Sequence, residues 1–202
     1  MIFNTNHKGP VNDILFLSQT DPLLNDFNNN ILFYFSKYED LPGDYGRRIV
    51  IEVSKKDLTF DTIEKNIKDL KKNEELSILS LIKINGVPYH FAMIDFLAKK
   101  RSNSTIQALN KTCEFWDMMF NVYNSGRSIH AYGTKLLTQS QWVGFMGYLI
   151  LLNEKSGEKV VDSRWVGHRL MSGYSSLRIT NNSGKYKTAP IYIGSSLSEL
   201  SI

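Results

Sequence analysis

The sequence predicts an α+β fold: a single domain in which a mixed or antiparallel sheet packs with helices. Two observations predict this fold class. Short apolar runs bounded by turn residues alternate with segments of helical period, and neither an internal repeat nor a Pro/Gly-rich linker divides the chain. With 202 residues, 42% of them hydrophobic, the chain can bury a substantial core. We therefore expect one domain over residues 1–202.

Five runs are short, apolar and bounded by turn residues, and they predict strands. These runs cover residues 31–36, 48–53, 76–84, 89–98 and 176–180. The segment Asn85-Gly86-Val87-Pro88 lies between the third and fourth runs and predicts a turn. Residues 76–98 are therefore expected to form a hairpin.

Three segments place apolar residues on one face of a helix. Their apolar positions are Phe60, Ile63, Ile67 and Leu70; Ile106, Leu109, Cys113, Trp116 and Phe120; and Trp142, Phe145, Leu149 and Leu152. The third helix has the clearest start, because Thr138-Gln139-Ser140-Gln141 matches a capping box. Strands followed by single amphipathic helices suggest a sheet covered mainly on one face, which leaves the other face available for a ligand.

Composition favours a cytoplasmic protein that does not cross a membrane. Cys113 is the one cysteine, so neither an intramolecular disulfide nor a cysteine-based zinc site can form. The first residues lack the layout of a signal peptide, and no apolar run is long enough to span a bilayer. We expect a reducing cytosol as the location.

Basic residues are concentrated late in the chain. The sequence has 24 basic and 20 acidic residues, a net charge of +4 that is compatible with phosphate-bearing partners. Residues 162–187 hold a single acid, Asp162, against several cations. These cations are Arg164, Arg169, Arg178, Lys185 and Lys187, together with His168.

The first candidate site is Ser128-Ile129-His130, which follows a glycine-containing turn. Ser128 and His130 are two residues apart, so they point to the same face of a strand, where a hydroxyl and an imidazole suit the binding of a triphosphate. Arg127 is expected to face the opposite side unless the strand twists or bulges. The alternative is that His130 is a core histidine beside an ordinary turn.

The second candidate is Asp95, which stands in the apolar run 89–98. A carboxylate in such a run must be hydrogen-bonded, paired or coordinated to a metal, since an isolated buried carboxylate is costly. Asp95 is therefore a candidate metal ligand. Equally, it could cap a turn or pair with Lys99, Lys100 or Arg101.

The third candidate is Asp162, which follows Val160 and Val161 at the predicted end of a strand. The cations after it would screen a polyphosphate held beside a metal-binding acid. The alternative is a solvated helix and hairpin whose charges do nothing specific. The density of Arg, His and Lys around one aspartate favours the functional interpretation.

In their order, these segments resemble the three motifs of the archaeo-eukaryotic primase superfamily, which includes the primase-polymerases. Motif one is an acidic pair ending an apolar strand, and Phe91–Phe96 with Asp95 resembles it. Motif two reads Ser-x-His, as Ser128 and His130 do, and motif three is an aspartate after an apolar strand, like Asp162. The resemblance covers roughly residues 76–190, the motif-bearing core, and implies an RRM-like primase catalytic fold that residues 1–75 would complete.

The resemblance implies a protein that binds nucleoside triphosphate and transfers nucleotides in a metal-dependent reaction such as primer synthesis. Asp95 and Asp162 would hold Mg²⁺ or Mn²⁺, and His130 would join them as a catalytic residue. The same resemblance places Ser128, His130, Arg178 and Lys185 near the nucleotide phosphates. Single-stranded nucleic acid would be bound by further cations, namely Arg164, Arg169 and Lys187.

One departure keeps other functions open. The second acid of motif one would stand two residues after Asp95, where this sequence has Leu97, and leucine cannot ligate a metal. One alternative is therefore a non-catalytic nucleic-acid-binding module of primase fold, in which Trp165, Tyr174 or Tyr186 stacks on bases. Another is a protein-interaction component of a larger assembly. A helicase or any other subunit would be a separate chain.

Overall fold

The computed structural model describes residues 9–26, 28–39, 48–97, 102–153, 157 and 159–196 and has the predicted α+β architecture. The strands are β1 (Ile31–Glu39), β2 (Ile49–Ser54), β3 (Glu74–Ile84), β4 (Val87–Phe96), β5 (Phe120–Asn124), β6 (Ile129–Thr138), β7 (Ser176–Arg178) and β8 (Ile191–Ser195). The helices are α1 (Val11–Thr20), α2 (Pro22–Asn25), a 3-10 helix (Lys55–Asp57), α3 (Phe60–Lys68), α4 (Asn103–Trp116), α5 (Gln139–Leu151) and α6 (Ser163–Ser172).

The strands form one open sheet in the order β2-β1-β3-β4-β6-β5-β8, and β7 also pairs with β3. Every pairing is antiparallel. The predicted hairpin is present, but β3 and β4 pair only where Leu81–Ile84 meets Val87–His90. Beyond that point β7 pairs with Ser77–Leu79 of β3. The hairpin is therefore split, and β7 lies at the split.

The five predicted strands and three predicted helices are present, with changed ends. The hairpin turn is only Asn85-Gly86, whose φ angles of 51° and 83° belong to the tight turns that join paired strands. Val87 and Pro88 therefore belong to β4, while residue 98 lies outside the described residues. Phe120 begins β5 rather than ending a helix, because Asp117 closes α4 in the left-handed conformation.

Helices cover both faces of the sheet, so the prediction of a sheet covered mainly on one face is wrong. Successive residues of a strand point to opposite faces. Accordingly Met93 belongs to one buried cluster, with residues of α1, α2 and α3, and Ile94 to another, with residues of α4, α5 and α6. The first cluster includes Ile14, Leu24 and Ile63, and the second includes Leu109, Phe145 and Val166. The open face that was expected to be available for a ligand is therefore covered in the described part of the sheet.

Helix α5 begins with the predicted capping box. Thr138 Oγ1 accepts from the N–H of Gln141 at 3.3 Å, and Gln141 Oε1 accepts from the N–H of Thr138 at 2.9 Å. This arrangement satisfies two N–H groups at the helix start and fixes α5 directly after β6. Among the residues that the structure describes, no helix has both the length and the apolar character that crossing a membrane would require.

Candidate functional site

A pocket of about 440 Å³ lies where the hairpin splits. It is lined by β7, by the ends of β1 and β4, by the start of β6 with the turn before it, and by α6 with its N-cap. The lining residues are Tyr38, Arg48, Asp95, Phe96, Leu97, Ser125, Arg127, Ser128, His130, Asp162, Trp165, Arg169, Ser176, Leu177, Arg178 and Tyr186. The split thus brings together segments that are far apart in the sequence.

Asp95 and Asp162 come from neighbouring backbone segments. Phe96 and Val161 form an antiparallel bridge, and the N–H of Asp162 donates to the carbonyl of Asp95 at 3.3 Å. Asp162 is also the N-cap of α6, because its Oδ1 accepts from the N–H groups of Arg164 and Trp165 at 2.9 and 3.2 Å. The two predicted acids therefore meet at the pocket, with Asp162 held at a helix start.

Asp95 is a partly buried carboxylate, 23% exposed, at the end of β4. Ser128 Oγ donates to its Oδ1 at 3.0 Å. The pKa of Asp95 is raised to about 7, chiefly by burial; the hydrogen bond from Ser128 lowers it, and the charge of Asp162 raises it. Arg127 and Arg178 act in the opposite direction on the same pKa. The site thus concentrates two acids whose charges repel and which a cation would stabilise.

His130 stands directly opposite Asp95 in the pairing of β4 with β6. Its Nε2 lies 3.8 Å from Asp95 Oδ1, beyond hydrogen-bonding distance. Burial first, and the charge of Arg178 second, lower the pKa of His130 to about 3, so the imidazole is neutral. Its Nδ1 is buried and has no hydrogen-bond partner in the described part of the chain. A neutral ring with an unused polar atom suits contact with a polar ligand.

Arg178, on β7, is fixed by backbone and aromatic contacts. Its Nη2 donates to the carbonyl of Ser125 and, at 3.5 Å, to that of Thr188. The guanidinium lies 3.6 Å from the ring centroid of Tyr186. Its Nη1 is buried without a hydrogen-bond partner among the described residues. Arg178 therefore presents one unused donor group beside His130.

A second pair of arginines lines another part of the pocket. Arg48 Nη1 donates to the hydroxyls of Ser36, Ser77 and Ser176 at 3.1, 3.3 and 3.0 Å. Its guanidinium lies 4.2 Å from the ring centroid of Tyr38. Arg169, on α6, is 8% exposed. Both arginines line the pocket, so its wall holds two guanidinium groups.

The loop after β7 is tied to a buried carboxylate. Glu75, fully buried on β3, accepts from the N–H groups of Asn182 and Ser183 at 3.1 and 2.9 Å and from the hydroxyl of Thr180. This arrangement fixes the backbone of the loop that carries Lys185. No pattern in the sequence indicates this role, since Glu75 is one acid in a charged stretch at the start of a strand.

The structure brings most of the predicted site residues together. Six of them line the pocket, namely Asp95, Ser128, His130, Asp162, Arg169 and Arg178. Arg169 lines the pocket although the sequence suggested a role for it in strand binding. The other three, Arg164, Lys185 and Lys187, are exposed and lie outside the lining. The pocket and the exposed cations thus form two separate groups.

The sequence patterns did not place Arg127, Arg48 or Tyr38 in the pocket, which all three line. Arg127 lies in the turn before β6, not on the strand, so the alternation of strand faces does not apply to it. The turn needs glycine: Gly126 has a φ of 84°, and a Cβ there would lie 2.7 Å from the backbone nitrogen of Thr188. Arg48 and Tyr38 gave no signal, because they precede every motif and reach the pocket only through sheet pairing.

The two acids supply the kind of ligand that one divalent ion takes. The described residues contain no group of three or more His, Cys, Asp or Glu side chains placed to hold a metal. Asp95 and Asp162 each keep one oxygen, Oδ2, that takes no hydrogen bond from a described residue. Two carboxylates suffice for Mg²⁺, which keeps several waters and takes phosphate oxygens as further ligands. Leu97 is 42% exposed in the lining and offers no ligand for a second ion.

Comparison with known proteins gives one finding. A family model described as archaeo-eukaryotic primase 1D-like matches residues 54–191, more than half of the chain. Neither the curated proteins nor the solved structures yield a match. The matched range contains the two acids and the Ser128/His130 pair, whereas Tyr38 and Arg48 precede it.

Proposed function

This chain belongs to the archaeo-eukaryotic primase family, and from that membership we propose that its pocket binds a nucleoside triphosphate with a divalent metal ion and transfers nucleotides to a nucleic acid strand. One observation carries the proposal. Asp95, His130 and Asp162, from three separated segments, meet in a single pocket. Their residue types match the chemistry of nucleotidyl transfer, which needs acids for a metal and polar groups for phosphates.

In this proposal Asp95 and Asp162 hold Mg²⁺ or Mn²⁺, which supplies positive charge to the phosphate oxygens when bound. Ser128 orients the carboxylate of Asp95 through its hydrogen bond. His130, kept neutral by burial, can donate an N–H to a phosphate oxygen without carrying a charge. Arg178 offers its unused Nη1 to the same phosphates. The chain thus positions the triphosphate with fixed donors.

The test is calorimetric titration with a non-hydrolysable nucleoside triphosphate, with and without Mn²⁺, on the wild type and Asp162→Asn. Asparagine is as good an N-cap as aspartate, so this variant removes the charge and keeps the start of α6. We expect Mn²⁺-dependent binding that weakens at least about tenfold in Asp162→Asn, since the variant removes one of the two carboxylates that would hold the ion. Binding that ignores Mn²⁺, or that persists in the variant, would contradict the proposal.

Asp61→Asn is the matched control. Asp61 is an exposed acid in the first turn of α3, as Asp162 is an acid at the start of α6, and it does not line the pocket. Its variant should bind the nucleotide as the wild type does. Equal losses in both variants would indicate a general charge effect, not a site.

Leu97 favours a second candidate function, a non-catalytic nucleic-acid-binding module of primase fold. Its exposed side chain occupies the lining where a further acid would serve catalysis. Incorporation of labelled nucleotide on a primed template separates the two candidates. Mn²⁺-dependent incorporation supports transfer, whereas single-strand binding in EDTA without incorporation supports the module.

A further inference from the structure

The proposed function assigns no role to the side of the pocket formed by Arg48 and Arg169. Arg169 lies on α6 and is only 8% exposed. Its Nε and Nη1 are buried and have no hydrogen-bond partner among the described residues. A buried charged group without acceptors is costly. Native structures keep few such groups, and each requires a specific explanation.

Arg48 makes this arrangement more costly still. It approaches the same wall from the start of β2, where three serine hydroxyls and the ring of Tyr38 fix its guanidinium. Burial, and secondly the charge of Arg48, lower the pKa of Arg169 to about 10. The fold therefore holds two like charges close together, one of them with unused donors.

We propose that Arg48 and Arg169 form a phosphate-binding subsite, distinct from the acids and from Arg178, that takes a phosphate group of a nucleotide or of a nucleic acid strand. The guanidinium fork matches the geometry of phosphate oxygens and can bind them with two hydrogen bonds. The identification of the pocket as a nucleotide site rests on the proposed function, whereas the affinity for phosphate rests on the two arginines alone. Arg48 precedes residue 54, so the family model does not include it.

The test is titration with inorganic tripolyphosphate in EDTA, which offers phosphate without a base and without a metal. We expect wild-type binding that falls at least about tenfold in Arg169→Met, from the loss of charged hydrogen bonds. Lys65→Gln is the control, because it removes an exposed positive charge on α3 that does not line the pocket. Wild-type affinity in Arg169→Met, or an equal loss in Lys65→Gln, would overturn the proposal.

Thermal unfolding without ligand provides a second measurement. Arg169→Met replaces a buried, incompletely paired charge by an apolar side chain of similar length, so its unfolding midpoint should rise. A purely structural arginine would give a lower midpoint and would overturn the proposal. Arg48→Gln is a second variant for the tripolyphosphate titration, and it too should weaken binding.

Competition identifies the source of the phosphate. If tripolyphosphate displaces a nucleoside triphosphate, the subsite holds the nucleotide; if it displaces only a 5′-phosphorylated oligonucleotide, the subsite holds the strand, and either result supports the subsite. Asp162→Asn should not weaken tripolyphosphate binding in EDTA. Loss of nucleotide binding in Asp162→Asn with unchanged tripolyphosphate binding in Arg169→Met would therefore overturn this inference alone, and the reverse pattern would overturn only the proposed function.

Discussion

Asp13 is a buried carboxylate on α1 that lies outside the pocket and ties this helix to β5. Asn121 Nδ2 donates to its Oδ1 at 3.0 Å, and the hydroxyl of Tyr123 donates to its Oδ2 at 2.7 Å. Burial raises the pKa of Asp13 to about 7, and both hydrogen bonds lower it only in part. Below about pH 7 the folded protein therefore keeps Asp13 protonated, whereas in the unfolded chain this carboxyl has its ordinary pKa of 3.8.

This raised pKa predicts a stability that falls with pH. Between about pH 4 and pH 7 the unfolded chain has lost the Asp13 proton while the folded chain retains it, so the free energy of unfolding decreases as pH rises. At about 1.4 kcal/mol per pKa unit, the loss is on the order of 4 kcal/mol by pH 8. Denaturant titrations from pH 4 to pH 8 measure this loss as the difference between the wild type and a variant without the Asp13 carboxyl, because the raised pKa of Asp95 lowers wild-type stability over the same range.

Asp13→Asn is the control for that series, since an asparagine can still accept from Asn121 and can donate to Tyr123. Relative to the wild type, this variant should gain stability as pH rises and should match it near pH 4. A constant difference between the two proteins at all pH values would show that Asp13 is ionised in the folded state.

At the scale of residues, the sequence could predict the site acids but not the arginine that precedes the motifs. Asp95 stands out because an acid in an apolar strand needs a partner, and Ser128 with His130 because a hydroxyl and an imidazole stand two residues apart after a turn. Arg48 could not be found, because its position depends on the pairing of β1 with β2 and β3, which no local pattern specifies. Arg127 was expected on the opposite face of the strand, but it lies in the turn before β6, where the alternation of strand faces does not apply.

At the scale of elements, α6 separates its two arginines. Arg169 points into the pocket, whereas Arg164 is exposed at the first turn. We expect Arg164→Gln to weaken single-stranded DNA binding modestly and to lower the slope of log affinity against log salt by about 0.7, the contribution of one phosphate contact. Fluorescence anisotropy over a salt series measures both quantities.

Nucleotide affinity provides the contrast for Arg164. Because its side chain does not line the pocket, Arg164→Gln should bind nucleoside triphosphate as the wild type does. An unchanged salt slope would show that Arg164 does not contact the strand. A loss of nucleotide affinity would show that Arg164 contributes to nucleotide binding in the pocket.

The prediction of elements succeeded where one pattern was strong. The capping box located the start of α5 correctly, because both of its hydrogen bonds are local. Elements with a weak local pattern were not predicted: β8 has only five residues, and α6 contains Gly167 together with two arginines and a histidine among its ten residues. The covering of both faces was also missed, since α1 has only a weak amphipathic pattern and its packing depends on the sheet beneath it.

At the scale of the whole molecule, the residues before the family match complete the first buried cluster. Seven buried members of this cluster precede residue 54, namely Ile14, Leu17, Leu24, Ile31, Phe33, Phe35 and Val53. Strand β1 also lies between β2 and β3, inside the sheet. The segment before residue 54 is therefore part of the core, not an appendage.

We accordingly expect the fragment 54–191 not to fold by itself. Each large buried side chain contributes about 2–5 kcal/mol, and the loss of seven exceeds a typical total stability of about 5–15 kcal/mol. Thermal denaturation followed by circular dichroism should show a cooperative transition for residues 1–202 and none for the fragment. A cooperative transition of the fragment would contradict this account of the core.

The three-residue strand β7 has a consequence for the dynamics of the molecule. It pairs with β3 at three positions only, yet it carries Arg178 and the carbonyl to which Trp165 donates. All three of its residues are buried, and hydrogen bonds to β3 continue on both sides of it, from the N–H of Ser80 to the carbonyl of Ser175 and from the N–H of Ile179 to the carbonyl of Leu76. A buried segment in the centre of a sheet opens only at a free energy close to that of global unfolding. Amide hydrogen exchange at β7 should therefore report the stability of the whole sheet, and a phosphate bound to Arg178 would slow that exchange by stabilising the folded state.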